Sequence, residues 1–393
     1  MKRLLITLGV CFVVTSAAMA QEVVPFTSFE NDDNGLWTAS GGMAAFSLSD
    51  VLNPDFGVQP QDGDWHLEVN YDLELGQWNS MNIIIPEGGT VDITGMRELH
   101  FFTYFPEDAA SHQDGGFRMR VSLGGGRELG TQERAEEDVV GQWTEWVFPI
   151  DHIIYTNQDP SGPATALDRV QLYVNPGGNA DVEGTFFLDN IFFSRPDNVP
   201  NSFDIIQLWS FDEDEDEDIV PDGWQMNGQQ PFIGDGAIEP SEGSNYMELT
   251  LAERWTANGA SADAKARSDR LVDAWDVLVD VYLPEEFTGG WLNLQIVMQS
   301  GGQDAEGNDL APVSGWDQYG ERAIAEWEKN QWHTIAWPVN MENHRGALED
   351  DGGWFQYLFA TNQPADQAGV PIYIDNFRIA VPSSAAIDEW SLF

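Results

Sequence analysis

The sequence predicts an all-β chain folded as two tandem antiparallel β-sandwiches. Three observations carry that expectation. Apolar residues recur with a period of two, glycine and proline clusters punctuate the runs, and one stretch occurs twice. The stretch at 186–193 reads FFLDNIFF and is answered at 372–379 by IYIDNFRI. Each copy is a strand-like run of aromatic and β-branched residues interrupted by one Asp-Asn pair. An Asp inside such a strand is costly to bury alone, so both pairs call for a partner.

Taken in order, the chain opens with Met1-Lys2-Arg3, an apolar run at 4–14 and Ala18-Met19-Ala20 before Gln21. This is the pattern of a secretory signal peptide over 1–20, and its apolar run is too short to span a membrane. The single cysteine, Cys11, lies inside that segment, so the exported chain has no disulfides. From Gln21 onward the chain aligns with itself at an offset of roughly 180 residues, the scale of duplicated domains and not of a solenoid. Phe29-Glu30 answers Phe211-Asp212, and 65–69 answers 246–250. Residues 99–106 answer 277–284, and 117–123 answer 292–298. Gln142-Trp143 before Pro149 answers Gln331-Trp332 before Pro338, and the Asp-Asn strands close both units. The first sandwich is expected over 21–196 and the second over 204–381, joined by a short, stiff linker at 197–203 that carries Pro200. Residues 382–393 form a tail.

Within the units, Leu99, Phe101, Thr103 and Phe105 alternate with His100, Phe102 and Tyr104. Phe117, Met119, Val121 and Leu123 alternate with Arg118, Arg120 and Ser122, and 292–299 repeats the pattern. These are half-buried strands. Short helices are expected on connections at 135–139 and 321–329. Trp143 and Trp332 are expected in the cores. Trp78, Trp255, Trp316 and Trp327 fall in connections, as sugar platforms or as seals of the core.

The charge is extreme: 66 Asp and Glu against 17 Lys and Arg, a net of −49. That disfavours nucleic acid, anionic membranes and polyanionic glycans, which need cationic contacts. It fits solubility, cation binding or a high-salt setting. Sixteen Trp and 22 Phe argue against disorder despite the charge. The acidic run at 212–218 reads as a solvated loop.

The opening Phe-Glu or Phe-Asp, the mid-chain Q-W-x5-P segment and the closing F-x-L-D-N-I-x-F strand together resemble jelly-roll carbohydrate-binding modules with a galactose-binding-like sandwich. The likeness covers nearly all of the exported chain, taken twice. It implies a structural Ca²⁺ tying the first strand of each unit to the last, with Glu30 and Asp189 as ligands in the first and Asp212 and Asp375 in the second. Calcium is chemically reasonable, since it takes six to eight oxygen ligands. The alternative is that Asp189 and Asp375 only accept hydrogen bonds from backbone N–H groups at a bend in the strand.

Alternation projects His100, Tyr104, Arg118 and Arg120 one way, with Gln171, Tyr173 and Asn175 beside them. Sugars want planar hydrogen-bonding groups next to an aromatic ring, so these seven residues are the candidate glycan site. The alternative is an ordinary exposed sheet face. The second unit's matching face, with Asp280, Tyr282, Asn293, Gln295 and Gln299, is a variant site or none. No G-x-S-x-G, H-E-x-x-H, P-loop or dinucleotide fingerprint is present. The expectation is a secreted, non-catalytic glycan-binding protein. A structural or adhesive protein that meets surface or matrix proteins is the first alternative, and a β-sandwich glycoside hydrolase or lyase the second.

Overall fold

A computed structural model describes residues 22–383 apart from connecting segments, the longest at 51–57, 108–116, 156–163, 213–223 and 225–231. The signal-peptide segment, Trp78, Trp255, most of the acidic run and the tail beyond Ser383 lie outside the described residues. The first unit contains β1 (Glu22–Thr27), β2 (Trp37–Ser40), β3 (Met43–Asp50), β4 (Trp65–Leu73), β5 (Asn79–Ile84), β6 (Glu98–Tyr104), β7 (Phe117–Leu123), β8 (Arg127–Arg134), β9 (Trp143–Pro149), β10 (Arg169–Asn175) and β11 (Val182–Arg195). The second contains β12 (Phe203–Trp209), β13 (Phe232–Ile233), β14 (Met247–Thr250), β15 (Thr256–Asn258), β16 (Asp276–Tyr282), β17 (Asn293–Gly302), β18 (Trp316–Ala323), β19 (Trp332–Pro338), β20 (Gly353–Asn362) and β21 (Pro371–Pro382).

Each unit is two facing antiparallel sheets. In the first, β3-β4-β11-β6-β9, with β1 on β11, faces β2-β5-β10-β7-β8. In the second, β13-β14-β21-β16-β19, with β12 on β21, faces β15-β20-β17-β18. Apart from β3–β4, β7–β8, β12–β13–β14 and β17–β18, which stay in one sheet, successive strands cross between the sheets, as in a jelly roll. The Asp-Asn strands β11 and β21 are central because each is apolar on both sides and long enough to hold three partners.

The cores follow the alternation. Leu99, Phe101, Phe117, Met119 and Val121 point between the first pair of sheets. Leu292, Leu294, Ile296 and Met298 point between the second pair. Trp146 and Trp337 are fully buried in the cores. Trp143 and Trp332, expected there, lie instead on the outward face of β9 and β19, because both precede the core tryptophan by an odd number of residues. Trp327 packs against the second core. The side chain of Trp316, in β18, is not among those described.

The connection before β9 carries a helix, α1 (Glu136–Val139), as expected. Of the helix expected at 321–329, residues 321–323 belong instead to β18, where pairing with β17 prevails over local propensity. No helix among the described residues is long and apolar enough to cross a membrane.

The units are joined by more than the linker. Arg97, just before β6, pairs with Asp276 at the start of β16 at 2.8 Å, and both are buried. Its guanidinium lies 5.5 Å from the ring centroids of both Tyr155 and Trp275. The His152 N–H, in helix α2 (His152–Tyr155), donates to Asp276 Oδ1 at 3.1 Å. Phe203 packs edge-on against His152, Tyr155 and Trp275. Ile153 of the first unit clusters with Leu278, Ala336 and Ala380 of the second. On the other layer, β8 lies beside β18.

Candidate functional site

The Asp-Asn pair in each closing strand is a β-bulge. Pairing of β11 with β6 slips between Asp189 and Phe192, and pairing of β21 with β16 slips between Leu278 and Asp280. Asn190 and Asn376 take φ of 48° and 50°, a left-handed conformation that Asn tolerates better than most residues. The bulge turns the Asp carboxylate toward the loop at 59–65, or 239–245 in the second unit.

That loop is gripped from two sides. The N–H groups of Gln61 and Asp62 donate to Asp189 Oδ2 at 2.9 and 3.1 Å, and Asn190 N–H donates to Oδ1 at 2.7 Å. Asp64 and Trp65 N–H donate to Glu30 Oε1 at 2.9 and 3.0 Å. The second unit repeats this. Ser241 and Glu242 N–H donate to Asp375 Oδ2 at 2.8 and 3.0 Å, and Asn376 N–H to Oδ1 at 2.7 Å. Ser244 and Asn245 N–H donate to Asp212 Oδ1 at 2.6 and 2.8 Å. The indole N–H of Trp143 donates to Gln59 O at 2.7 Å, and that of Trp332 to Glu239 O at 2.8 Å. Positive φ recurs at matched places: Phe29 and Phe211, Gly63 and Gly243, Gly141 and Asn330. At Gly63 and Gly243 a Cβ would strike the Glu30 or Asp212 carboxylate, so the carboxylate sits directly on the glycine.

The four acids named from the sequence are therefore brought together in pairs, each pair on one loop. The donors common to these carboxylates are backbone N–H groups. Convergent backbone N–H groups form a nest that binds anions, here Glu30 Oε1 and Asp189 Oδ2 in the first unit and Asp212 Oδ1 and Asp375 Oδ2 in the second. Among the described residues, no group of three or more His, Cys, Asp or Glu could hold a metal ion. Asp189 and Asp375 accept from N–H groups at the bend in the strand. Burial pushes Asp189 up to about 7, against the lowering pull of the Asp62, Asn190 and Gln61 N–H groups. Asp375 is pushed up to about 6 for the same reason, with Ser241 as an additional donor opposing the shift.

The seven candidate glycan residues do not form one cluster. Arg120 pairs with Tyr173, Ser122 with Gln171 and Arg118 with Asn175 across β7 and β10. Gln171 pairs with Asn82 on β5. Paired residues share a face, and Met119, Val121, Leu172 and Val174 fill the core, so this row faces outward. The Arg120 guanidinium lies 4.6 Å from the Tyr173 ring centroid. Arg118, Arg120, Gln171, Tyr173 and Asn82 are all partly exposed.

His100 and Tyr104 belong to the opposite sheet and face the other way. Alternation tells which side of its own strand a residue takes, but not which sheet the strand joins. His100 is buried, stacked on Phe192 at 4.6 Å, and bonded to Ser194 Oγ at 2.7 Å and Glu145 Oε1 at 2.8 Å. Burial lowers its pKa, but hydrogen bonds and charge from Glu98 and Glu145 outweigh that and raise it. Tyr104 sits with Trp143, Phe187 and His66 beneath the clasped loop. Tyr246, Tyr282, Trp332 and Tyr373 make the same cluster in the second unit.

No protein-family model matches the chain, and no curated protein matches it. Among solved structures it is similar to the CBM22-1–CBM22-2 tandem domain from Paenibacillus barcinonensis Xyn10C, at 13% identity and TM-score 0.27, over 93% of this chain and 99% of that one. It is similar to Caldicellulosiruptor saccharolyticus CBM27-1, solved with mannohexaose, at 19% identity and TM-score 0.34, over 45% of this chain and 98% of that one. It is also similar to the K2 cleaved adhesin domain of Lys-gingipain, at 12% identity and TM-score 0.27, over 44% of this chain and 99% of that one. At such TM-scores these likenesses add no argument about ligand.

Proposed function

We propose that this is an exported, non-catalytic glycan-binding protein whose first unit holds its ligand on the outward face of the β2-β5-β10-β7-β8 sheet. The observation that carries the reading is the Arg120 guanidinium over the Tyr173 ring, in a partly exposed polar row with Arg118, Gln171 and Asn82. The guanidinium over the ring carries planar N–H donors of the kind that sugar hydroxyls accept. The tyrosine beneath supplies the apolar surface that pyranose C–H groups prefer. The N-terminal signal pattern supports export. His100 and Tyr104 have no part in this site.

The test is a glycan array read with the wild-type chain and Arg120→Ala. Binding that falls by about tenfold in the variant, or about 1.4 kcal/mol, supports the reading. A wild-type array blank throughout would move the protein to the adhesive class, with proteins of a surface or matrix as its partners.

A further inference from the structure

The outward face of the second unit's β15-β20-β17-β18 sheet is unlike its counterpart. At its centre Val297, Leu358 and Ala360 are buried in an apolar cluster of their own. Where β20 begins, the face opens. Trp354 pairs with Gly301 and Gln356 with Gln299 across β20 and β17. Leu294, Ile296 and Met298 point into the core, so Gln299 and Gly301, with their partners, point outward.

A Cβ placed on Gly301 would lie 2.8 Å from Cζ2, 2.9 Å from Cε2 and 3.0 Å from Nε1 of Trp354. The indole therefore lies against the strand backbone, in space that residue 301 leaves free only as glycine. It is nonetheless 43% exposed, so the face away from Gly301 is open to solvent. Beside it, the Gln356 side-chain amide donates to that of Gln299, which holds the two polar planes together on the same surface. Lys265 Nζ secures the adjoining turn by donating to the carbonyls of Asp350 and Gly353.

We infer that Trp354, Gln299 and Gln356 form a glycan subsite on the second unit, taking a neutral pyranose ring. The inference rests on the glycan-binding reading above. The electron-rich face of the indole attracts the C–H face of the sugar. The amides offer both donors and acceptors, as hydroxyl groups require. A net charge of −49 turns acidic sugars away. Because β18 lies beside β8, the outward sheets of the two units meet edge to edge. A polymer that tracks this surface can touch both units, so the occupant is a neutral polysaccharide and not a single terminal sugar.

Affinity electrophoresis of the full chain through gels containing xylan, mannan or mixed-linked β-glucan tests this. Wild type should be retarded by at least one polymer. Trp354→Ala should weaken that retardation about tenfold. Gly301→Ala, which keeps the indole but lifts it from the strand, should weaken it as well. Near-ultraviolet circular dichroism and melting curves should show both variants folded. Wild-type retardation by Trp354→Ala overturns the subsite, and the glycan reading stands if Arg120→Ala lowers retardation in the same gel. Wild type retarded by none of the polymers removes both.

Discussion

In both units a carboxylate just past the first strand and another from a bulge in the last strand grip one loop, whereas the outward sheets that would meet a ligand share almost no side chain. The first unit presents Arg118, Arg120, Gln171 and Tyr173. The second places Val297, Leu358 and Ala360 at the corresponding centre and leaves Trp354 open at one end. The two units match where backbone N–H groups are held by carboxylates, and differ on the outward faces of their second sheets. Differences inside the clasp are additions. The second unit sets Asp280 beside Asp375, and Asp280 accepts from Ser241 Oγ, Asn376 Nδ2, Thr334 Oγ1 and Arg378 Nη2. The first has Phe102 at that pairing position, with His100 stacked on Phe192 nearby.

The comparison can be broken most forcefully at the junction of the units. Arg97→Ala strands Asp276 uncompensated in a buried site and should cost about 3–5 kcal/mol in denaturant unfolding. A smaller loss, with the two units melting separately, would mean that they do not depend on one another. Next comes the clasp itself. Asp189→Ala and Asp375→Ala each leave three buried or partly buried N–H groups without their acceptor and should each cost about 2–3 kcal/mol. Equal losses confirm that the halves use the same device, and a loss in one alone denies it.

Proton uptake sharpens the same point with a smaller effect. Asp189 and Asp375 are raised to about 7 and about 6 in the fold, above the value an exposed Asp shows. The native state then binds more protons than the unfolded chain across that interval, so these groups stabilise most below about pH 4 and lose that contribution as pH rises through 6 to 7. Melting temperature should decline over that window, and Asp189→Asn with Asp375→Asn should flatten the slope. A slope unchanged by the double variant would contradict it. The smallest effect is the tenfold binding loss expected of Arg120→Ala.

Much of the fold is legible because a strand's period is strict: core positions such as Phe101, Met119 and Ile296 emerge from alternation alone. The tandem arrangement is legible because bulge, glycine and tryptophan positions recur in order. The assignment of strands to sheets is not, since β6 and β7 look alike in pattern yet lie in opposite layers. That is why alternation groups His100 and Tyr104 with Arg120. The purpose of the Asp-Asn pair is half legible: a buried carboxylate needs partners, but a sequence does not say whether these are metal or N–H groups. Trp354 leaves a fainter signal, the glycine pairs Gly301-Gly302 and Gly352-Gly353, whose facing positions only the register of β17 and β20 reveals.

The clasp is tested most directly by thermal melting of the wild type and of Asp189→Ala, each with and without a calcium chelator. Carboxylates held by N–H groups predict that the chelator leaves the wild-type curve in place while the substitution alone lowers it. A wild-type curve that falls with chelator to the position of the variant, with the variant itself unmoved, would show that these acids hold a cation and would contradict the clasp.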